Sequence, residues 1–150
     1  MPQSHYRKFL LTLPVSFVIM YVVVYLNVYE FDHVYFSLTR FYMTVLMVTA
    51  MAVVMLLMPM MYPNKTLNGI IMGASLTLFV GALLMVRSQT FVNDTRWVKA
   101  MIPHHSIAIL TSERATIQDP EVRKLADGII AAQKREIEEM KAMIKRLEQQ

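Results

Sequence analysis

The sequence predicts an all-α protein in which three transmembrane helices precede a two-helix hairpin. Three uncharged apolar stretches each reach about 20 residues, the length that crosses a bilayer as a helix. Charge is divided unevenly, with seven charged residues in 1–90 against ten basic and nine acidic ones in 91–150. The charged part also repeats apolar residues at helical spacing. We therefore expect a membrane domain over residues 1–90 and a helical hairpin domain over residues 91–150.

The three predicted spans cover residues 9–28, 41–62 and 69–86, and none contains a charged side chain. Tyr and Phe lie near their ends, where aromatic residues anchor helices at the membrane interface. The first stretch is too long for a signal peptide and lacks a small-residue cleavage site, so we expect a retained anchor. Pro59 is expected to help end the second span. The lipid bilayer is thus the first expected partner.

The distribution of Lys and Arg favours a cytoplasmic N-terminus. If all three spans cross the bilayer, Arg7 and Lys8 before the first span share one side of the membrane with Lys65 in the second loop. Arg87 and Arg96 follow the third span and oppose this bias. With three crossings, the hairpin domain lies on the outer side. His33 falls in the first loop, on that same side. It could add a ligand, but it is expected to be an interfacial loop residue.

Composition excludes several kinds of site. The basic and acidic residues of 91–150 nearly balance, so no patch of one sign indicates nucleic acid. Cysteine is absent, which removes disulfides, thiolate metal sites and cysteine nucleophiles. A site for a soft metal would have to use histidine and the 14 methionines.

The hairpin has start and stop signals for two helices. Asp94 or Thr95 is expected to cap the first helix, which runs to about Thr116. Asp119 is the expected N-cap of the second helix, with Pro120 at its first position. The second helix is expected to continue to about Leu147.

Helical spacing at 100° per residue assigns faces to the first helix of the hairpin. Lys99, Ser106 and Glu113 form the expected outer line, and both His104 and His105 lie on the inner half. The two histidines diverge by about 100° because they are adjacent. The inner line consists of Trp97, Met101, His104, Ala108 and Ala115.

The second helix has an apolar stripe that Gln133 and Glu136 interrupt. Folding the hairpin about Gln118 places His104 opposite Gln133, Met101 opposite Glu136 and Trp97 opposite Met140. One interpretation is a metal site, because imidazole binds Cu, Zn, Fe and Ni, and thioether selects Cu(I). The other is a buried hydrogen-bond network that fixes register. The expected stripe is Val122, Ala126, Ile129, Gln133, Ile137, Met140, Ile144 and Leu147.

Two helices of this length cannot bury both inner faces by themselves, because a unit of about 60 residues is marginally stable. We expect hairpins to pair through residues 94–147 into a four-helix bundle within a homo-oligomer.

The hairpin also resembles a known family. The motif letters are "MIPHH", "DPEV", "LA" and "QKREIEEM", and over roughly residues 94–147 they resemble the bacterial family called domain of unknown function 305. This resemblance implies a ferritin-like, usually exported domain, and some relatives are associated with copper. The residues on the family's motif positions are Met101, His104, His105, Gln133, Glu136 and Met140.

The resemblance implies a membrane-anchored metal-binding protein for sequestration or delivery. Copper is the expected ion, with zinc or no ion left open because Ile107 and Leu110 stand where relatives often carry Met. The expected location is the outer face of the bacterial inner membrane, with metal-handling proteins as candidate partners. No enzyme is expected, because the hairpin has neither Glu-x-x-His nor a nucleophile elbow. The alternative is an oligomerisation module with a structural His/Glu/Gln network.

Overall fold

The computed structural model describes residues 2–57 and 62–149, with side chains from residue 5 onward. Within these ranges the chain forms five α-helices, a short 3-10 helix and no β-strand, which confirms the all-α fold class. The helices are α1 (Pro2–Val23), α2 (Leu38–Leu56), α3 (Lys65–Ser88), α4 (Asp94–Arg114) and α5 (Pro120–Leu147), and the 3-10 helix is η1 (Phe31–His33).

Three helical segments are long and apolar enough to cross a membrane, namely His5–Val23, Leu38–Leu56 and Lys65–Ser88. The first ends five residues before the predicted limit because the chain turns over residues 24–27. The third starts four residues early, where the Asn64 side chain accepts a hydrogen bond from the Leu67 N–H and caps the helix. The second begins three residues early and ends at Leu56, six residues before the predicted limit, and residue 62 is not helical. Pro59, expected to help end it, lies outside the described residues.

The chain divides into two compact units. The apolar unit consists of Met1–Val23 and Thr39–Thr90. In it, the Tyr6 hydroxyl donates to Asn68 Oδ1 at 2.7 Å and accepts from the Asn64 N–H at 3.1 Å. These bonds tie the start of α1 to the start of α3. The buried cluster of this unit is Tyr6, Phe9, Ala52, Leu56 and Tyr62.

The hairpin unit consists of Val24–Leu38 and Phe91–Gln150. It therefore contains the segment between α1 and α2 as well as the α4–α5 hairpin. Because η1 lies within that segment, side chains from distant parts of the sequence meet in one unit. The buried apolar cluster of the hairpin unit is Val98, Ile102, Ile109, Ile137, Met140 and Ile144.

The helix caps of the hairpin are partly as predicted. Asp119 caps α5 by accepting from the N–H groups of Glu121 and Val122, with Pro120 at the start of the helix, and this prediction is confirmed. The predicted cap of α4, Asp94 or Thr95, is wrong. Asn93 caps it instead, because its side chain accepts from the Arg96 N–H at 3.0 Å.

The predicted faces of α4 are rotated relative to the structure. Ser106, predicted to face outward, is fully buried, and Trp97, predicted to face inward, is 53% exposed. The reason is that the bulky apolar residues Val98, Ile102 and Ile109 take the core side, and Ser106 shares their spacing. The segment 24–38 then covers this serine, which no pattern within the hairpin could indicate.

The apolar stripe of α5 is correct for its second half, where Ile137, Met140 and Ile144 are buried. Toward the start of the helix, Val122 is 50% exposed and Ile129 is 36% exposed. The single hairpin therefore leaves part of the predicted inner face of α5 in contact with solvent.

Candidate metal-binding site of the hairpin

The hairpin brings one histidine of α4 against one carboxylate of α5. His105 Nδ1 lies 3.2 Å from Glu136 Oε2. Gln133, one turn earlier on α5, donates from Nε2 to the same carboxylate oxygen at 3.4 Å. The α-helical spacing of three residues places Gln133 and Glu136 on one face, toward α4. Three of the six predicted site residues thus lie in direct contact.

The buried nitrogen of His105 has no hydrogen bond. Although Nδ1 is within ion-pair distance of Glu136, its direction does not satisfy a hydrogen bond to the carboxylate. Among the described residues, only this nitrogen and Arg123 Nε are buried polar side-chain atoms without a hydrogen-bond partner. Since buried polar groups are normally paired, an unpaired ring nitrogen facing a carboxylate indicates a place for an ion or a proton.

The surroundings of His105 favour its neutral form. Burial lowers the pKa of the imidazole, the nearby Glu136 carboxylate partly opposes this, and His104 lowers the pKa further. The net shift is below the ordinary value of 6.5. A neutral imidazole is the form that ligates metals, so the ring can accept an ion near neutral pH.

His104 lies beside the contact pair but points elsewhere. Its side chain is exposed, and its ring centroid is 6.2 Å from that of His105, with the ring planes 56° apart. The two adjacent histidines therefore offer one ligand within the hairpin and one on its surface.

The two candidate thioether ligands lie with the apolar core. Met140 is 7% exposed and belongs to the buried cluster, and Met101 packs against that cluster. Methionine often fills such irregular apolar space. The structure accordingly places both thioethers beside apolar side chains, whereas His105, Glu136 and Gln133 form the polar contact.

The spacing of the polar pair suits adjacent ligands of one ion. Two ligand atoms at about 2.0–2.2 Å from a tetrahedral ion are about 3.4 Å apart. The 3.2 Å between His105 Nδ1 and Glu136 Oε2 is close to this value. Among the described residues of one hairpin, His105 and Glu136 are the predicted histidine and carboxylate ligands that lie in direct contact, so a full ligand set requires further donors.

The segment 24–38 contributes contacts that the sequence patterns of the hairpin do not predict. His33, expected to be an interfacial loop residue, is 4% exposed and packs against α4, so this expectation is wrong. Its Nδ1 lies 2.9 Å from Ser106 Oγ, which also accepts from the Tyr29 N–H at 2.7 Å. Two features of the sequence could have indicated this contact. One is the polar Ser106 within the apolar stripe from Val98 to Ile109, and the other is the Glu-x-x-His spacing of Glu30 and His33.

Lysine side chains hold the same segment on α5. Lys141 Nζ donates to Asp32 Oδ2 at 2.6 Å and lies 3.3 Å from Glu138 Oε1. Hydrogen bonding to Lys141 holds the pKa of Asp32 below its ordinary value, against a smaller opposing effect of burial. Lys134 Nζ lies 5.3 Å from the centre of the Tyr29 ring, a cation–π distance.

Together these features define an all-helical protein with three membrane-length helices and a histidine–carboxylate hairpin. Residues 89–150 match the family described as Domain of unknown function (DUF305). An uncharacterised protein of Acanthamoeba polyphaga mimivirus is 33% identical over 109 residues, covering 71% of this chain and 70% of the relative. The chain therefore belongs to the DUF305 family. No solved structure shows significant similarity to it.

The similarity to the viral relative is not confined to the hairpin. The family match covers residues 89–150, whereas the aligned stretch covers 71% of the chain. The alignment must therefore include residues that precede position 89, within the apolar part of the sequence. The relative is similar to part of the apolar region as well as to residues of the hairpin.

Proposed function

We propose that this protein is a membrane-anchored metal-binding protein whose hairpin holds a copper ion for sequestration or delivery rather than turnover. The observation that carries the proposal is the pair formed by His105 and Glu136. The histidine presents a buried ring nitrogen without a hydrogen bond 3.2 Å from a carboxylate oxygen. A bound ion would satisfy both atoms.

Each polar residue has a distinct proposed role. His105 Nδ1 and Glu136 Oε2 bind the ion, and Gln133 orients the carboxylate through its 3.4 Å hydrogen bond. Nitrogen and oxygen ligands suit Cu(II), with Zn(II) as the main competitor. Met101 and Met140 are the thioethers available for Cu(I), but Met140 would have to leave the apolar cluster that now buries it.

A second copy of the chain would complete the site. Val122, Leu125 and Ile129 form an exposed apolar strip on α5, and Leu125 is 65% exposed. A groove of about 630 Å³ follows this strip from Glu121 to Gln133, where it reaches the polar cluster. Because a hairpin of about 60 residues is marginal alone, we propose that two hairpins pair along this strip as a four-helix bundle.

The proposed location is the outer face of a bacterial inner membrane, with the hairpin periplasmic or extracellular. Three helices are long and apolar enough to serve as the anchor. The basic residues Arg7, Lys8 and Lys65 favour a cytoplasmic N-terminus. The segment 24–38 and the hairpin belong to one unit, which agrees with two crossings between them. Metal-handling proteins on that face are the proposed recipients.

The direct test is a Cu(II) titration of the full chain in detergent micelles, in competition with a chelator of known affinity. We expect the double variant His105→Ala/Glu136→Gln to bind Cu(II) at least about tenfold more weakly. His5→Ala/Glu139→Gln is the matched control, because it removes one histidine and one carboxylate away from the cluster. A separate His104→Ala variant measures the contribution of the exposed ring.

The same titration separates the proposal from a purely structural module. The alternative has its own support, since His105, Glu136 and Gln133 connect α4 to α5 without any ion. If the parent chain is a folded oligomer that binds neither Cu(II) nor Zn(II), the metal proposal is wrong. A double variant that loses its oligomeric state while the parent binds no metal would favour the structural module.

A further inference from the structure

We propose that Glu30, Asp32 and His33 form a second cation site, for a divalent ion of the zinc class, on the segment that packs against the hairpin. This site lies outside the residues that match the family and uses none of the six residues of the hairpin site. It therefore does not depend on whether the hairpin binds copper.

The three side chains already converge. Ligand atoms from all of them lie within 4.8 Å of one another. His33 Nε2 is 3.6 Å from Asp32 Oδ1 and 3.9 Å from Glu30 Oε2. Ligands of a tetrahedral zinc ion are about 3.4 Å apart, so the two distances from His33 are within about half an ångström of coordination geometry.

The histidine supplies an independent indication of a ligand. Its side chain is 5% exposed, and its Nε2 lies 3.6 and 3.9 Å from the carboxylate oxygens of Asp32 and Glu30. The other ring nitrogen, Nδ1, lies 2.9 Å from Ser106 Oγ. In metal sites the non-ligating nitrogen of a histidine usually donates to such an oxygen, which fixes the tautomer and the ring orientation. A buried ring held by Ser106 thus directs Nε2 at two carboxylates.

The type of ligand atom selects the type of ion. One imidazole and two carboxylates suit borderline divalent ions such as Zn(II), and the absence of thioether or thiolate disfavours Cu(I). The two carboxylates carry opposite charge to the ion and have solvent-exposed side chains, 58% and 60%, so an ion can reach them. The absence of thioethers distinguishes this site from the hairpin site, for which Met101 and Met140 are candidate ligands.

The site also has room for further ligands. A cavity of about 210 Å³ opens beside Glu30 and His33 and is bounded on α5 by Lys134, Ile137 and Glu138. This volume accommodates the water molecules that would complete the coordination of a divalent ion. Because Glu30, Asp32 and His33 belong to the segment and Ser106 to α4, a bound ion would stiffen the contact between them.

Lys141 is the residue that competes with the ion. Its ammonium group holds Asp32 Oδ2 at 2.6 Å, while Oδ1 faces His33. A positive charge so close opposes the binding of a cation. Removing Lys141 should therefore strengthen metal binding, although it removes a contact that holds the segment on the hairpin.

The test uses the full chain in detergent micelles with His104→Ala/His105→Ala as background, so that the hairpin site is absent. Zn(II) is added after removal of metal, and its stoichiometry and affinity are measured by chelator competition. We expect one ion per chain and a loss of affinity of at least tenfold on Glu30→Gln, whose carboxylate has no other ion-pair partner among the described residues. Asp127→Asn/Glu139→Gln is the control for removal of exposed carboxylates.

Two further readouts make the result decisive. Histidine labelled with ¹⁵N shows only His5 and His33 in this background, and Zn(II) should shift the Nε2 signal of His33. Lys141→Met should raise Zn(II) affinity by at least threefold, whereas a purely structural cluster would show no gain. Absence of Zn(II) binding, or equal binding by the Glu30→Gln variant and the control, would overturn the proposal. Neither result would test Cu(II) binding by His105 and Glu136, because that binding is measured in the parent chain, which retains both histidines.

Discussion

His33 Nδ1 lies 2.9 Å from the hydroxyl oxygen of Ser106, 73 positions further along the chain. The same oxygen accepts a hydrogen bond from the backbone N–H of Tyr29 at 2.7 Å. One fully buried serine therefore receives two contacts from the segment 24–38. Because the oxygen has two lone pairs, it can accept from both nitrogen atoms at once.

Replacement of Ser106 by Ala should loosen this segment. The Tyr29 N–H and His33 Nδ1 would both lose their partner, at a cost of about 1–3 kcal/mol for a buried polar group left unsatisfied. We expect the Tyr29 amide to exchange with solvent at least tenfold faster, as measured by hydrogen exchange. Ser112→Ala is the matched control on the same helix and should leave that rate unchanged. Equal exchange in both variants would show that Ser106 does not hold the segment.

The sequence could predict those parts of the fold that depend on local chemistry. Membrane-length helices follow from uncharged apolar runs, and Asp119 with Pro120 marks the start of α5 because capping involves neighbouring residues. Helical spacing also placed His105, Gln133 and Glu136 on the inner halves of the two helices. The predicted register, however, set Met101 rather than His105 opposite Glu136, so the contact between His105 and Glu136 was not predicted.

The remaining features depend on contacts between distant residues. The rotation of α4 was missed because Ser106 is polar, and a polar residue is assigned to the outside unless its partner is known. That partner is His33, which lies on a segment separated from α4 by α2 and α3. No periodicity within the hairpin encodes this pairing. The Glu-x-x-His spacing of Glu30 and His33 is visible in the sequence, but the contact of His33 with Ser106 became apparent only in the structure.

The stability of the hairpin should depend on pH through the protonation of His105. Burial lowers the pKa of this residue in the folded chain, so the unfolded chain binds its proton more readily. The stabilising contribution of the neutral ring is complete above about pH 6.5, the ordinary pKa of histidine. It is lost as the pH falls below that value toward the lower pKa of the folded state.

The measurement is thermal unfolding of the metal-free chain between about pH 7.5 and pH 5. This range begins about one pH unit above the ordinary pKa of histidine and ends below it. We expect His105→Gln to show a smaller loss of stability over this range than the parent. His104→Gln is the control, because it removes the exposed neighbouring ring. If both variants lose stability as the parent does, His105 does not control this transition.

Pairing of hairpins should depend on the exposed strip of α5. Leu125 is 65% exposed in the single chain and lies at the centre of the strip formed with Val122 and Ile129. Leu125→Glu would place a charge in the proposed interface, where burial of an unpaired carboxylate is strongly unfavourable. We expect this variant to shift the chain from dimer to monomer in detergent, measured by light scattering. Arg135→Glu, on an exposed part of α5, is the control, and an unchanged mass for Leu125→Glu would exclude this strip as the interface.

The contact between His33 and Ser106 also makes a prediction about membrane topology. Both residues belong to the hairpin unit, so the segment 24–38 and the hairpin must lie on the same side of the membrane. This requires that α2 and α3 both cross the bilayer or that neither does. The start of α3, where Thr66 lies, is on the opposite side only if both cross.

Because the sequence contains no cysteine, a single introduced cysteine reports which side of the membrane its position faces. Single cysteines are introduced at Phe31, Thr66 and Ala142, and intact cells are treated with a maleimide that does not cross membranes. We expect Phe31→Cys and Ala142→Cys to react from outside, whereas Thr66→Cys reacts only after the membrane is opened. Reaction of all three from outside would mean that α2 and α3 do not cross the membrane. Reaction of Thr66→Cys alone would retain the crossings of α2 and α3 but reverse the proposed orientation, because the hairpin would then face the cytoplasm.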